Sequence, residues 1–115
     1  MSQPVEGSDR RVFHITDPCS AERLVEDGHL EPTSLESEGF VHCSTAAQVV
    51  ATTERWLAGV DDLVLVELDV DRLDDLRWPE VYPGQHFPHL HGAIPGAAVV
   101  RVHRWRPADR AAWEG

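Results

Sequence analysis

Glu38-Gly39-Phe40-Val41-His42-Cys43-Ser44-Thr45-Ala46-Ala47 is the stretch on which the rest of the chain turns. Gly39 interrupts whatever runs into it, and Phe40, Val41 and Cys43 suit a buried strand around His42. Ser44 or Thr45 is then placed to cap a helix that runs through the apolar positions Val49, Val50, Trp56 and Leu57. A strand that opens a helix in this way aims unpaired backbone N–H groups at whatever lies above it, which favours an anion or a ribose–phosphate. His42 either presents its imidazole to a cleft or sits in the core against a backbone carbonyl, and this stretch alone leaves both readings open.

On its N-terminal side, residues 1–10 are polar and read as a flexible leader. Residues 11–16 form a first strand, after which Asp17 is an N-cap and Pro18 is pre-set for the first helical position. The helix over residues 19–27 is expected to bury Ala21, Leu24 and Val25 and to stop at Gly28. Residues 29–35 read as a loop or a short extended piece. On the C-terminal side, Gly59 is expected to close the second helix and Asp61-Asp62 to turn the chain. The run over residues 63–70 is almost continuously apolar, which predicts a strand central in its sheet. Residues 71–76 predict a short helical turn, and Arg77-Trp78 extended chain. Residues 79–95 contain four of the eight prolines, which excludes a regular helix. A last strand over 97–105 and a closing helix over 107–113 complete an α+β pattern, a single domain over residues 11–115 with strands of both halves in one sheet system.

At 115 residues the chain is long enough to build a core without metal or disulfide staples. Its net charge of −10 excludes an extended nucleic-acid backbone as the main partner, while a local arginine cluster still suits a small nucleotide. All the basic residues are arginine, so Schiff-base and P-loop lysine chemistry are both excluded. Cys19 and Cys43 are far apart and follow no redox or metal spacing. With no signal peptide and no apolar run long enough to span a membrane, a cytoplasmic protein is expected. Trp105 and Trp113 either close the core or form a contact between two copies, so both monomer and homodimer stay open.

Histidines carry the candidate chemistry: His14 on the first strand, His42 on the second, and His86, His89 and His91 in the proline-rich segment. The last three offer imidazoles of the kind zinc, nickel or copper accept. On an extended chain, however, His89 and His91 share a face that His86 does not. A thiol nucleophile is discounted, because adjacent strand residues such as His42 and Cys43 point to opposite faces. Glu80 offers a general base or an acceptor for a sugar hydroxyl, and Trp78, Tyr82 and Phe87 offer walls for stacking or for the core.

Two of these stretches carry a resemblance. Val12-Phe13-His14-Ile15-Thr16 resembles the first motif of ADP-ribosyltransferase-like folds, with Ile15 standing where those folds have glycine. Phe40-Val41-His42-Cys43-Ser44 is similar to the His-Val-His-Leu-Ser motif of RNA 2′-phosphotransferases, without their arginine-rich signature. From Phe13 to about Trp105 the chain also resembles domain-of-unknown-function 952, through residues 38–44, Asp62-Leu63-Val64-Leu65 and Phe87-Pro88-His89-Leu90. The resemblance implies an ADP-ribosyltransferase-like split, mainly antiparallel β-sheet with flanking helices and a cleft that accepts NAD as substrate. It implies His14, with Thr16 nearby, on ribose hydroxyls, His42 at the nicotinamide end, Ser44 supporting that strand, and His89 as third functional residue. No third-motif glutamate is evident. The expected activity is transfer or removal of an ADP-ribosyl unit, or 2′-phosphate transfer, to an acceptor the sequence does not name. The alternatives are a non-catalytic nucleotide-binding module and a metal-dependent hydrolase using His86, His89 and His91.

Overall fold

The computed structural model describes residues 10–113, so the expected leader lies, Arg10 apart, outside the described residues. Arg10 is tied to the fold: its guanidinium meets Asp71 at 2.9 Å and its carbonyl accepts the Val70 N–H at 3.0 Å. The elements run β1 (Arg11–Thr16), α1 (Pro18–Asp27), β2 (His29–Leu30), α2 (Thr33–Glu38), β3 (Val41–His42), α3 (Val49–Trp56) and β4 (Val64–Asp69). They continue β5 (Leu76–Arg77), β6 (Glu80–Tyr82), β7 (Gln85–His86), β8 (His89–Leu90), β9 (Ile94–Pro95), β10 (Val99–Arg104) and α4 (Pro107–Ala111). This is an α+β fold with antiparallel sheets and flanking helices.

β4 lies between β1 and β10, as its apolar run predicts, because both of its faces are covered. Val66 and Leu68 join Val12, Leu24, Val41, Leu90 and Ile94 in one core, while Leu65 joins Phe13, Val49 and Trp105 in another. Neighbouring positions on β1 and β4 therefore feed different cores. Trp105 and Trp113 close the second core and meet edge to face at 5.1 Å. The Trp105 indole N–H donates to Thr53 at 2.8 Å, and that of Trp113 to the Ala46 carbonyl at 2.8 Å.

Helix α1 starts and stops where the sequence predicts. The Asp17 carboxylate accepts the Ser20 N–H at 2.8 Å, and Gly28 takes a φ of 82°. Only Ala21 and Leu24 of its face are buried; Val25 lies about 100° round from Leu24 and is exposed. Four expectations are corrected. Residues 29–35 open with a short extended piece as expected, β2, paired with β9, but Thr33 starts α2, a helix of six residues that is too short to show periodicity in sequence. Helix α3 begins at Val49 and not at a Ser44 or Thr45 cap, because Ser44 exchanges both backbone hydrogen bonds with Phe13 at 2.8 Å and so belongs to the sheet. That helix ends at Trp56 with Leu57 as its cap, before Gly59. Among the described residues the strands also divide into four sheets, and the proline-bearing residues 79–95 supply only strands of two or three residues. Among the described residues no helix is long and apolar enough to cross a membrane.

Candidate functional site

The paired backbones of Phe13 and Ser44 put β1 beside the segment that follows β3, and a cleft of about 720 Å³ opens there. That volume lies within the range of small-molecule sites, roughly 300–1,000 Å³. Its walls come from β1 (Phe13, His14), the end of α2 (Glu38), Phe40 and residues 42–44, the last turns of α3 (Thr52, Arg55, Trp56), the β6–β7 hairpin (Tyr82) and Phe87 with His89. Apolar and aromatic surface dominates, and Glu38 and Arg55 are the charged residues of opposite sign that line it.

His14 is buried, and its Nδ1 lies 2.9 Å from the His42 carbonyl oxygen. A carbonyl only accepts, so Nδ1 carries the proton and donates it. Burial lowers the His14 pKa from its ordinary value, against the opposing pull of that carbonyl and with help from the nearby His42 ring. The ring is therefore neutral at pH 7 and its Nε2 lone pair is the one left for a ligand, a fit for a donating hydroxyl.

Gly39, at φ 87°, is the cap of α2, donating to the Leu35 carbonyl at 3.0 Å. Only glycine holds that backbone at little cost, and the turn it makes brings Glu38 back onto His42. The His42 Nε2–H donates to the Glu38 carboxylate, 3.2 Å from either oxygen. Both side chains are about half exposed, so the pair orients His42 far more than it stabilises the fold. His42 stands directly opposite His89 in the β3–β8 register, and directly opposed residues share a face. Phe40 stacks on His89, centroids 3.9 Å apart and planes 8° apart, and meets the edge of His42 at 4.8 Å. Partial burial lowers the His89 pKa, with smaller effects from His42 and His91.

The cleft thus gathers His14, His42, Ser44 and His89 of the residues that sequence points to. Thr16 and Glu80 do not line it: Thr16 ends β1 opposite Val64, and the Glu80 carboxylate accepts the Gly84 N–H at 2.7 Å inside its hairpin turn. Ser44 works through its backbone and through its hydroxyl, which donates to Thr52 at 3.3 Å. The expected anion site on exposed N–H groups after β3 is corrected too: the Ser44 N–H is bonded to the Phe13 carbonyl at 2.8 Å, the Thr45 N–H to the Gln48 side chain at 2.9 Å, and residues 45–47 do not line the cleft. His86, His89 and His91 do not form a ligand set. His86 sits on β7 and His89 on β8, in different sheets, and among the described residues no three His, Cys, Asp or Glu side chains are disposed to hold a metal ion. Cys43 is buried and its thiol pushed up to about 12, which leaves it inert. Sequence reasoning passed over Glu38, Phe40 and Arg55; a carboxylate directly before the glycine of the central stretch is the signal that marks Glu38.

The lowered values of His14 and His89 fix a pH dependence. The unfolded chain takes up these protons near pH 6.5 while the folded chain resists them, so the unfolded state binds more protons below that value. The stability from both groups is complete above pH 6.5 and is lost as pH falls through the folded values. Thermal unfolding followed from about pH 7.5 to about pH 5 is expected to give a level melting temperature that drops in the acid half. A level line across the whole range would contradict the assignment.

The family described as "Protein of unknown function (DUF952)" matches residues 15–102, a span that contains the cleft residues from Glu38 to His89 and begins one residue after His14. No curated protein matches the chain. The crystal structure of protein CC0527 from Caulobacter crescentus is similar over 82% of this chain and 84% of its own, with a TM-score of 0.75 and 26% identity. The solution NMR structure of CC0527 gives 0.73 and 25% identity, over 84% of this chain and 85% of its own.

Proposed function

Since the chain belongs to the DUF952 family, whose description leaves the activity open, we propose that it is an ADP-ribosyltransferase-like domain whose cleft binds NAD or an ADP-ribosylated product. The observation that carries this reading is the fixed His14 tautomer, a neutral Nε2 acceptor at a cleft wall shared with the Glu38–His42 pair. The neighbouring positions of the two motif stretches, joined by the Phe13–Ser44 pairing, support it as well. His14 accepts from a ribose hydroxyl, and the Phe40–His89 stack gives the nicotinamide end an aromatic wall. The ribose–nicotinamide bond breaks with its electron pair leaving on nicotinamide, and the sugar passes through an oxocarbenium-like state. Glu38 supplies the negative charge that steadies this cation, the role for which the sequence alone offered no residue. The acceptor's nucleophilic atom then bonds the anomeric carbon and its proton passes to the Glu38–His42 pair.

A two-dimensional amide NMR titration with NAD tests the reading. Shifts are expected at His14, Phe40, His42 and His89, and they should fade in His42→Ala, which alters an exposed side chain and spares the core. No shifts at millimolar NAD would sink the proposal. Binding without release of free nicotinamide in the presence of candidate acceptors would identify the non-catalytic nucleotide-binding module instead.

A further inference from the structure

Arg55 is the cation of the cleft wall, and its surroundings are those of a binding group. It belongs to the last turn of α3, and its guanidinium carbon lies 4.4 Å from the centroid of the Tyr82 ring, across the cleft on the β6–β7 hairpin. Phe87 meets the Tyr82 ring edge to face at 5.9 Å, which sets the plane on which the guanidinium rests. Among the described residues no carboxylate lies within ion-pair distance of Arg55, as is also true of Arg23, Arg101, Arg104, Arg106 and Arg110; what sets Arg55 apart is that it lines the cleft and lies over an aromatic ring. A favourable position at a helix C-terminus accounts for a positive charge there but not for its seat on an aromatic ring.

We propose that Arg55, held over Tyr82, is the phosphoryl-binding subsite of the cleft. Stacking leaves the planar fork of N–H donors free at its edge, in the geometry that grips two phosphate oxygens at once. Stacking also restricts the rotamers, so less freedom is lost when the anion arrives. A hydroxyl acceptor at His14 and a planar cation at Arg55 on the walls of one cleft match a sugar phosphate, whereas a small carboxylate would leave most of about 720 Å³ empty. The phosphate anchor thus moves from the start of α3, where the sequence places it, to the end of the same helix. This assignment rests on the nucleotide reading above for its biological ligand, and its test stands apart from that reading.

Inorganic pyrophosphate and NAD are titrated separately into the wild-type protein and into Arg55→Gln and Arg55→Lys, with the Tyr82 ring signals followed by NMR in all three and the Arg55 Nε–H signal in the wild type. Arg55 is exposed, so neither substitution disturbs the core. Pyrophosphate is expected to shift both signals. Arg55→Gln should weaken its binding by about tenfold or more, and Arg55→Lys should retain only part of the affinity. Pyrophosphate shifts that map elsewhere, no shifts at millimolar pyrophosphate, or an Arg55→Gln affinity within about twofold of wild type would overturn the subsite. Pyrophosphate bound at Arg55 with NAD unbound would keep the subsite and remove the NAD reading. NAD bound equally by wild type and Arg55→Gln would do the reverse.

Discussion

Trp105→Ala is expected to cost the fold about 3–5 kcal/mol, the usual range for emptying a buried tryptophan site. The side chain is fully buried, packs against Trp113, and lies in the core that also holds Phe13, Val49 and Leu65. Four walls that belong to different elements cannot all collapse into the space, so most of the cavity should persist. Against a typical total of about 5–15 kcal/mol, this is a large fraction of the stability. Urea unfolding should show the midpoint falling steeply with little change in slope. Thr53→Val separates the polar part of the loss. The Thr53 hydroxyl accepts the Trp105 indole N–H and donates to the Val49 carbonyl at 2.7 Å, so its removal leaves a buried donor alone, at about 1–3 kcal/mol. If Trp105→Ala shifted the midpoint no more than Thr53→Val, packing around the indole would not be the main contribution.

The second large effect is on binding. His14→Asn should lower NAD affinity by about tenfold to a hundredfold while leaving stability within about 1 kcal/mol of wild type. The asparagine amide N–H reaches the position of the imidazole Nδ1 and keeps the bond to the His42 carbonyl, but nothing replaces Nε2 at the cleft wall. His14→Ala is the contrasting variant: it leaves that carbonyl without a donor and should lose stability and affinity together. Calorimetric titration with NAD beside thermal unfolding of both variants separates the roles. An asparagine variant that binds NAD as wild type does would remove His14 from the list of ligand contacts.

How far the sequence reached depends on how local each signal is. Helix α1 is legible because Asp17, Pro18 and Gly28 act within a few bonds of where they stand. β4 is legible because burial on both faces leaves a run that is almost continuously apolar. The start of α3 is not, because Ser44 has a good capping side chain and it is the distant Phe13 backbone that draws it into the sheet. The two-residue strands between Leu76 and Pro95 are too short for alternation to show, and only their partners define them. The site divides in the same way. His14, His42 and His89 draw attention by residue type, whereas Arg55 matters through Tyr82, many residues away, and Glu38 through the left-handed turn at Gly39.

The strand pairings also set how the chain must find its shape. β1 pairs with β4 through Arg11 and Asp69, β2 with β9 through Leu30 and Ile94, and β3 with β8 through His42 and His89, all over long spans of chain. Among the described strands, only the β6–β7 hairpin closes over a few residues. Such a topology has to close large loops before the contacts reward it, which places refolding in the slower, millisecond-to-second part of the range for small domains. It also means that no fragment of the chain holds the cleft, because β1, α2, α3 and β8 must come together before His14, Glu38, Arg55 and His89 share one wall system. On a ribosome, then, ligand binding would switch on only after the last of these segments has emerged.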